Sequence, residues 1–230
     1  MNKQPGPLPD SRRVCSLVER QMAVVVSPWG YGRVMADMTY PSGPAGDLLR
    51  YLRESREAVL RGLDGLADYD ARRPLTPSGT NILGLVKHLA GIETGYLGEC
   101  VGRPSPVRLP WVDEGSVWDG ADMWVTPEQS REYIVGLYRD AWAHSEDSIT
   151  QLGLDAPAHV TWWPMDRRDT TLGHLLVRVV AETAQHAGHI DVLRESVDGR
   201  GGSDHDDYGD ADYWADYVAR IQAAADSCRG

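Results

Sequence analysis

Glu182, His186 and His189 share one short segment, Glu-Thr-Ala-Gln-His-Ala-Gly-His-Ile-Asp-Val-Leu-Arg (182–194). On a helix, positions i and i+4 stack on one face and i+7 returns close to it. All three side chains therefore leave on one stripe. His88 lies apart from them, in Leu-Val-Lys-His-Leu-Ala-Gly (85–91). Two facing helices would bring His88, Glu182 and His186 to one point, two imidazoles and a carboxylate. That donor set suits zinc first, with nickel or ferrous iron as alternatives. Three protein ligands leave a position for an exogenous group, as in catalytic zinc sites. His189 remains open between fourth ligand, outer partner and substrate-facing base.

Burying an unpaired Glu182 would cost several kcal/mol, roughly 2–7 for an uncompensated polar group and more for a charge. A divalent cation offsets that cost. Arg178, one turn away, is the competing partner. A lone histidine on an apolar helix is usually a satisfied core residue, so His88 gains meaning only through its pairing with 182 and 186. His174 extends the same stripe but stands near the helix start, and His144 and His159 read as surface or loop residues.

Helical periodicity supplies the elements that must position these groups. A first helix is expected over about 45–66, with Leu48, Leu49, Leu52, Val59, Leu60, Leu63 and Leu66 as its apolar side. A second should start after a Thr80 cap, with Leu83, Val86, Leu89, Ile92, Tyr96 and Leu97 as its stripe, His88 beside it and Glu93 five residues on. Thr126, Pro127 and Gln129 form a capping-box signal for a third. The fourth is expected over 171–197, and a last amphipathic helix with Trp214, Tyr217, Val218 and Ile221 is expected to pack on the bundle. No strand-period alternation is visible, so no sheet is expected. The predicted fold class is all-α: a four-helix bundle with an additional C-terminal helix (41–230) and a poorly ordered N-terminal extension (1–40).

Residues 101–125 form a long connection with Trp111, Trp118 and Trp124, and a second connection carries Trp162-Trp163-Pro164. Three indoles argue against disorder in the first, and its expected job is to cover an opening. Trp118, Trp124, Trp162 and Trp163 could wall a substrate pocket, or simply anchor loops. Arg103, Arg167 and Arg168 are candidates to hold substrate carboxylates or hydroxyls.

Composition narrows the function classes. The net charge of −11 argues against a nucleic-acid partner and an anionic membrane surface, since phosphate binding needs clustered cations. No apolar run approaches the roughly 20 residues that span a bilayer, and the stretch around Ala23-Val24-Val25-Val26 is short for a signal segment, so a cytoplasmic protein is expected. Cys15, Cys100 and Cys228 are far apart and odd in number, which indicates neither a disulfide framework nor a cysteine zinc site. No P-loop, dinucleotide fingerprint or nucleophile elbow is present. Apolar outer stripes leave a homodimer open.

Pro77-Ser78-Gly79-Thr80 leading into Leu85-Val86-Lys87-His88-Leu89-Ala90-Gly91, followed by the 182–195 segment, resembles the DinB-like superfamily, and within it the actinobacterial branch once labelled as a domain of unknown function. The resemblance covers roughly 44–225. It implies a four-helix bundle around a divalent metal, with the family ligands falling on His88, Glu182 and His186. Glutamate departs from the all-histidine pattern but matches the mycothiol-dependent maleylpyruvate isomerase type. The resemblance further implies a low-molecular-weight thiol, bacillithiol, mycothiol or glutathione, as co-substrate for S-transfer to, or isomerisation of, a small electrophile. The absence of Phe and near-absence of Lys and Asn fit a GC-rich genome and favour mycothiol. Three rival readings stay open: a hydrolase using metal-activated water, with Glu93 or His189 as base, a non-catalytic metal- or ligand-binding sensor or sequestration protein, and a bundle whose polar core residues serve only packing.

Overall fold

A computed structural model describes residues 42–200 and 209–229; the expected extension over 1–40 lies outside the described residues. Four long helices dominate: α1 (Pro44–Arg61), α3 (Ile82–Leu97), α5 (Arg131–Leu152) and α6 (Leu172–Asp198). Between them lie the short helices α2 (Asp68–Arg72) and α4 (Pro110–Asp113), and α7 (Ala211–Asp226) follows. Helix α3 packs against both α5 and α6, and α1 closes the bundle on α6. Being covered on several sides, α3 is apolar nearly all round, with Ile82, Leu83, Leu85, Val86, Leu89 and Leu97 buried.

The helix ends follow local chemistry. Asn81, rather than Thr80, caps α3, its side chain accepting from the Gly84 amide at 2.8 Å. Ser130 caps α5, accepting from the Tyr133 amide at 3.1 Å. The Thr126–Gln129 signal forms half of the expected box, the Thr126 amide donating to Gln129 Oε1 at 3.1 Å, but it closes a separate turn before the helix. Thr171 caps α6. Helix α1 stops at Arg61, short of the expected Leu66. Arg194 of α6 satisfies the carbonyls of Gly62 and Asp64, each at 2.8 Å, while Leu63 and Leu66 remain buried in the turn that follows.

Two further expectations need correction. A two-stranded antiparallel hairpin does form, β1 (Pro157–His159) with β2 (Asp169–Thr171). Its strands are too short for alternation to register. It is tied to the start of α6 by the Leu172 amide on the Ala156 carbonyl (2.9 Å) and the Gly173 amide on the Leu154 carbonyl (2.8 Å). Trp162 and Trp163 lie on its connecting loop. Helix α7 exists, but Tyr217, Val218 and Ile221 are exposed rather than packed.

The core also holds a buried ion pair. Arg56 of α1 grips Glu93 of α3 through Nε and Nη2, with Nε at 2.9 Å from Oε1. Ser145 donates to the same carboxylate at 3.0 Å, and Glu146 takes the remaining Arg56 nitrogen at 2.8 Å. Three helices are thus registered by one fully satisfied polar network.

Candidate metal centre

His88, on α3, and Glu182 and His186, on α6, each bring one ligand atom into a group whose members all lie within 4.8 Å of one another. Glu182 Oε1 is 3.7 Å from His88 Nε2 and 3.4 Å from His186 Nε2. Tetrahedral zinc with bonds of about 2.1 Å sets its ligand atoms roughly 3.4 Å apart, so both pairs stand near coordination spacing. The imidazoles meet edge to face, with centroids 5.1 Å apart and planes at 80°. Both ε nitrogens therefore face the carboxylate, and three donors leave room for a fourth, exogenous one.

Asp122 completes the arrangement. Its Oδ2 lies 2.6 Å from His88 Nδ1 and accepts that nitrogen's proton, which leaves Nε2 as the lone-pair donor. Asp122 belongs to the long connection, and three features of α3 hold it there. Lys87 is buried and donates from Nζ to the carbonyls of Ala121 (2.5 Å) and Trp124 (2.9 Å) and to Gln129 Oε1 (3.1 Å). Burial lowers the Lys87 pKa against the pull of Asp122. Asn81 donates to the Met123 carbonyl at 3.0 Å. Gly84 allows the loop to approach, since a Cβ there would meet the Met123 carbonyl oxygen at 2.0 Å.

Burial, and then the neighbouring His88, hold the His186 pKa below the ordinary histidine value, while Glu182 pulls it upward. A neutral imidazole is the form that ligates. The competing Arg178 contact is also present: Nη2 lies 3.6 Å from Glu182 Oε2, while Oε1 faces the two histidines. The two interactions use different oxygens and coexist.

The other expected site residues scatter. His189 is exposed and stands outside the ligand group, its Nδ1 3.3 Å from His186 Nδ1. Glu93, expected as a candidate base, is fully buried in the Arg56 pair and has no access to substrate. The four tryptophans do not share one wall. Trp118 and Trp124 are exposed, while Trp162 and Trp163 both donate their indole N–H to Tyr96 Oη, at 3.3 and 3.2 Å. Arg167 is exposed on a 3-10 turn, and Arg168 donates to the Trp163 carbonyl at 2.8 Å. Arg103 pairs with Asp147 and Gln151. His174 meets Thr170 Oγ1 at 2.7 Å and His159 meets Asp169 at 2.7 Å, both exposed. Asp122, Lys87 and Gly84 are the positions around this centre that the sequence alone does not single out. Asp122 lies 34 residues from its partner in an aperiodic loop.

Four long helices, two of which converge two imidazoles and a carboxylate, define a DinB-like helical-bundle protein. The family model described as Mycothiol-S-transferase matches residues 47–199, and the chain belongs to that family. The match encloses His88, Asp122, Glu182 and His186 and leaves α7 outside. Comparison with curated proteins finds no match. No helix among the described residues is long and apolar enough to cross a membrane.

Proposed function

We propose that this protein is a metal-dependent thiol S-transferase. A divalent cation, zinc foremost, would be held by His88 Nε2, a Glu182 oxygen and His186 Nε2, with mycothiol as the thiol co-substrate. The observation that carries the reading is the convergence of three ligand atoms within 4.8 Å, with Asp122 fixing the tautomer of one of them. The family match supports the thiol and the transfer. When bound, the cation supplies the Lewis acidity that makes a coordinating thiol ionise near neutral pH, against about 8.5 for a free cysteine-type thiol.

The chain's own residues do the rest. Two neutral imidazoles and one carboxylate give the donor set a charge of −1, so a divalent site keeps net positive charge and favours an anionic sulfur. Asp122 stiffens His88, and Arg178 orients the outer oxygen of Glu182. His189 places its Nδ1 3.3 Å from His186 Nδ1, where it accepts the proton of that ligand's outer nitrogen, and the thiol proton leaves to solvent. The sulfur then forms a bond to an electrophilic carbon. Where the electrophile carries a leaving group, that group departs with the bonding pair.

The test combines protein freed of metal, added zinc, mycothiol and monochlorobimane. The reading predicts a fluorescent conjugate that requires zinc and is lost in His88→Ala. A wild-type rate no higher than that of His88→Ala would overturn it. Turnover of a substrate without thiol would instead favour the hydrolase reading, which has lost Glu93 as a base.

A further inference from the structure

Gly91 and Gly95 follow His88 by three and seven residues and so share its stripe on α3. At about 1.5 Å rise per residue, Gly95 lies roughly 10 Å along the helix from the proposed ligand. These two glycines floor a cavity of about 600 Å³ that runs to Glu99. Trp162 forms one wall, its Cη2 3.7 Å from where a Gly95 side chain would begin. The same wall reaches back to the metal centre. Trp162 and Trp163 share Tyr96 Oη, and Arg178, paired to Glu182, lies 5.1 Å over the Tyr96 ring.

The lining has a definite chemistry. Val107, Leu109 and Val112 are its apolar lining beside the indole of Trp162. Thr94, Ser105 and Thr161 add hydroxyls to the lining. Glu99 is exposed at the far end and has no cationic partner among the described residues, so it would accept from a hydroxyl or ammonium. The two basic groups in the lining are paired with carboxylates: Arg108 with Asp113, itself in the lining, at 2.9 Å, and His159 with Asp169 at 2.7 Å. The cavity therefore carries net negative charge and no uncommitted cation among its described lining residues.

We propose that this cavity is the subsite for the organic body of a transferase substrate, and that it takes neutral or cationic molecules with an apolar face and a hydroxyl or amino group while rejecting carboxylates and phosphates. The assignment to a substrate rests on the S-transferase reading; the charge preference does not. Such selectivity disfavours dicarboxylate isomerisation substrates for this chain.

Three isosteric probes test it by ligand-observed NMR on the full chain, without metal or thiol: benzylammonium, benzyl alcohol and benzoate. Benzylammonium and benzyl alcohol should bind, benzoate at least tenfold more weakly. Gly95→Leu, which fills the floor, should abolish binding of the first two, and Glu99→Lys should reverse the order in favour of benzoate. Gly95→Ala, whose methyl makes an ordinary contact with Trp162, controls for folding by its thermal unfolding. Benzoate binding as tightly as benzylammonium, or Gly95→Leu leaving binding unchanged in a folded protein, would overturn the proposal. In the transfer assay, Gly95→Leu should raise KM at least tenfold for one substrate with kcat less affected. A rise for mycothiol assigns the cavity to the thiol's body and a rise for the bimane to the electrophile; a rise for neither overturns the substrate assignment. A wild type that binds the probes but transfers nothing would refute the transferase reading alone.

Discussion

Replacing Asp122 separates ligand positioning from ligation. Its carboxylate touches His88 Nδ1 at 2.6 Å with a side chain only 11% exposed, so little solvent competes for the contact. Asp122→Ala removes both the acceptor that fixes the tautomer and the negative charge that strengthens Nε2 as a donor. Loss of such an outer partner typically weakens metal binding about 10–100-fold, or roughly 1.4–2.7 kcal/mol. Asp122→Asn keeps an acceptor oxygen and loses the charge, so it should fall between wild type and Asp122→Ala. His88→Ala removes a direct ligand and should be worse than either. The assay is competition for zinc against a chromophoric chelator of known affinity, at a pH where imidazole is neutral. Metal-free Asp122→Ala should unfold at nearly the wild-type temperature, because the Lys87 and Asn81 contacts that hold the loop remain. An unchanged zinc Kd in Asp122→Ala, or a loss as large as that of His88→Ala, would refute the reasoning.

Glu93→Ala should destabilise the protein by about 3–5 kcal/mol in denaturant titration, because Arg56 would be left charged and buried. Glu93→Gln should cost less and, where folded, retain transfer activity, which a catalytic base would not. Gly84→Ala should push the Met123 carbonyl away from α3, costing about 1–3 kcal/mol by overpacking and weakening zinc binding by misplacing Asp122; chelator competition and thermal unfolding together report both effects. The lowered His186 pKa sets a sign for acid sensitivity. The unfolded chain takes up that proton first as pH falls below about 6.5. Metal-free protein should therefore lose stability as pH drops through that value toward the lower folded pKa. His186→Gln should show a shallower loss, read from unfolding midpoints at pH 7.5 and 5.

Helices α1, α5 and α6 were legible because each buries one side against neighbours, and that leaves a 3.6-residue period; α3, covered on several sides, was legible as a long apolar run. The Glu182–His186 pair was legible because both members lie one turn apart on one element. His88 could be joined to them only by supposing that two such helices face each other. Asp122 left no trace in the chain, since its position comes from a buried lysine amine, an asparagine and a glycine on another element. The hairpin hid because three-residue strands carry no pattern. Thr126 looks like the cap of the third helix, but that helix begins after Ser130, whose side chain accepts from the Tyr133 amide. Glu93 looked available because a sequence cannot reveal that Arg56, 37 residues earlier, reaches it across the core. The amphipathic pattern of α7 told of a helix but not of what, if anything, covers it.

The most direct measurement is metal content and environment in untagged protein, by elemental analysis and X-ray absorption at the zinc edge. The account predicts one ion per chain with two imidazoles and a carboxylate oxygen in its shell, at about 2.0–2.2 Å, and loss of that ion in His88→Ala and in Glu182→Ala. A folded wild type that takes up no divalent metal, or one whose ion survives both substitutions, would contradict it.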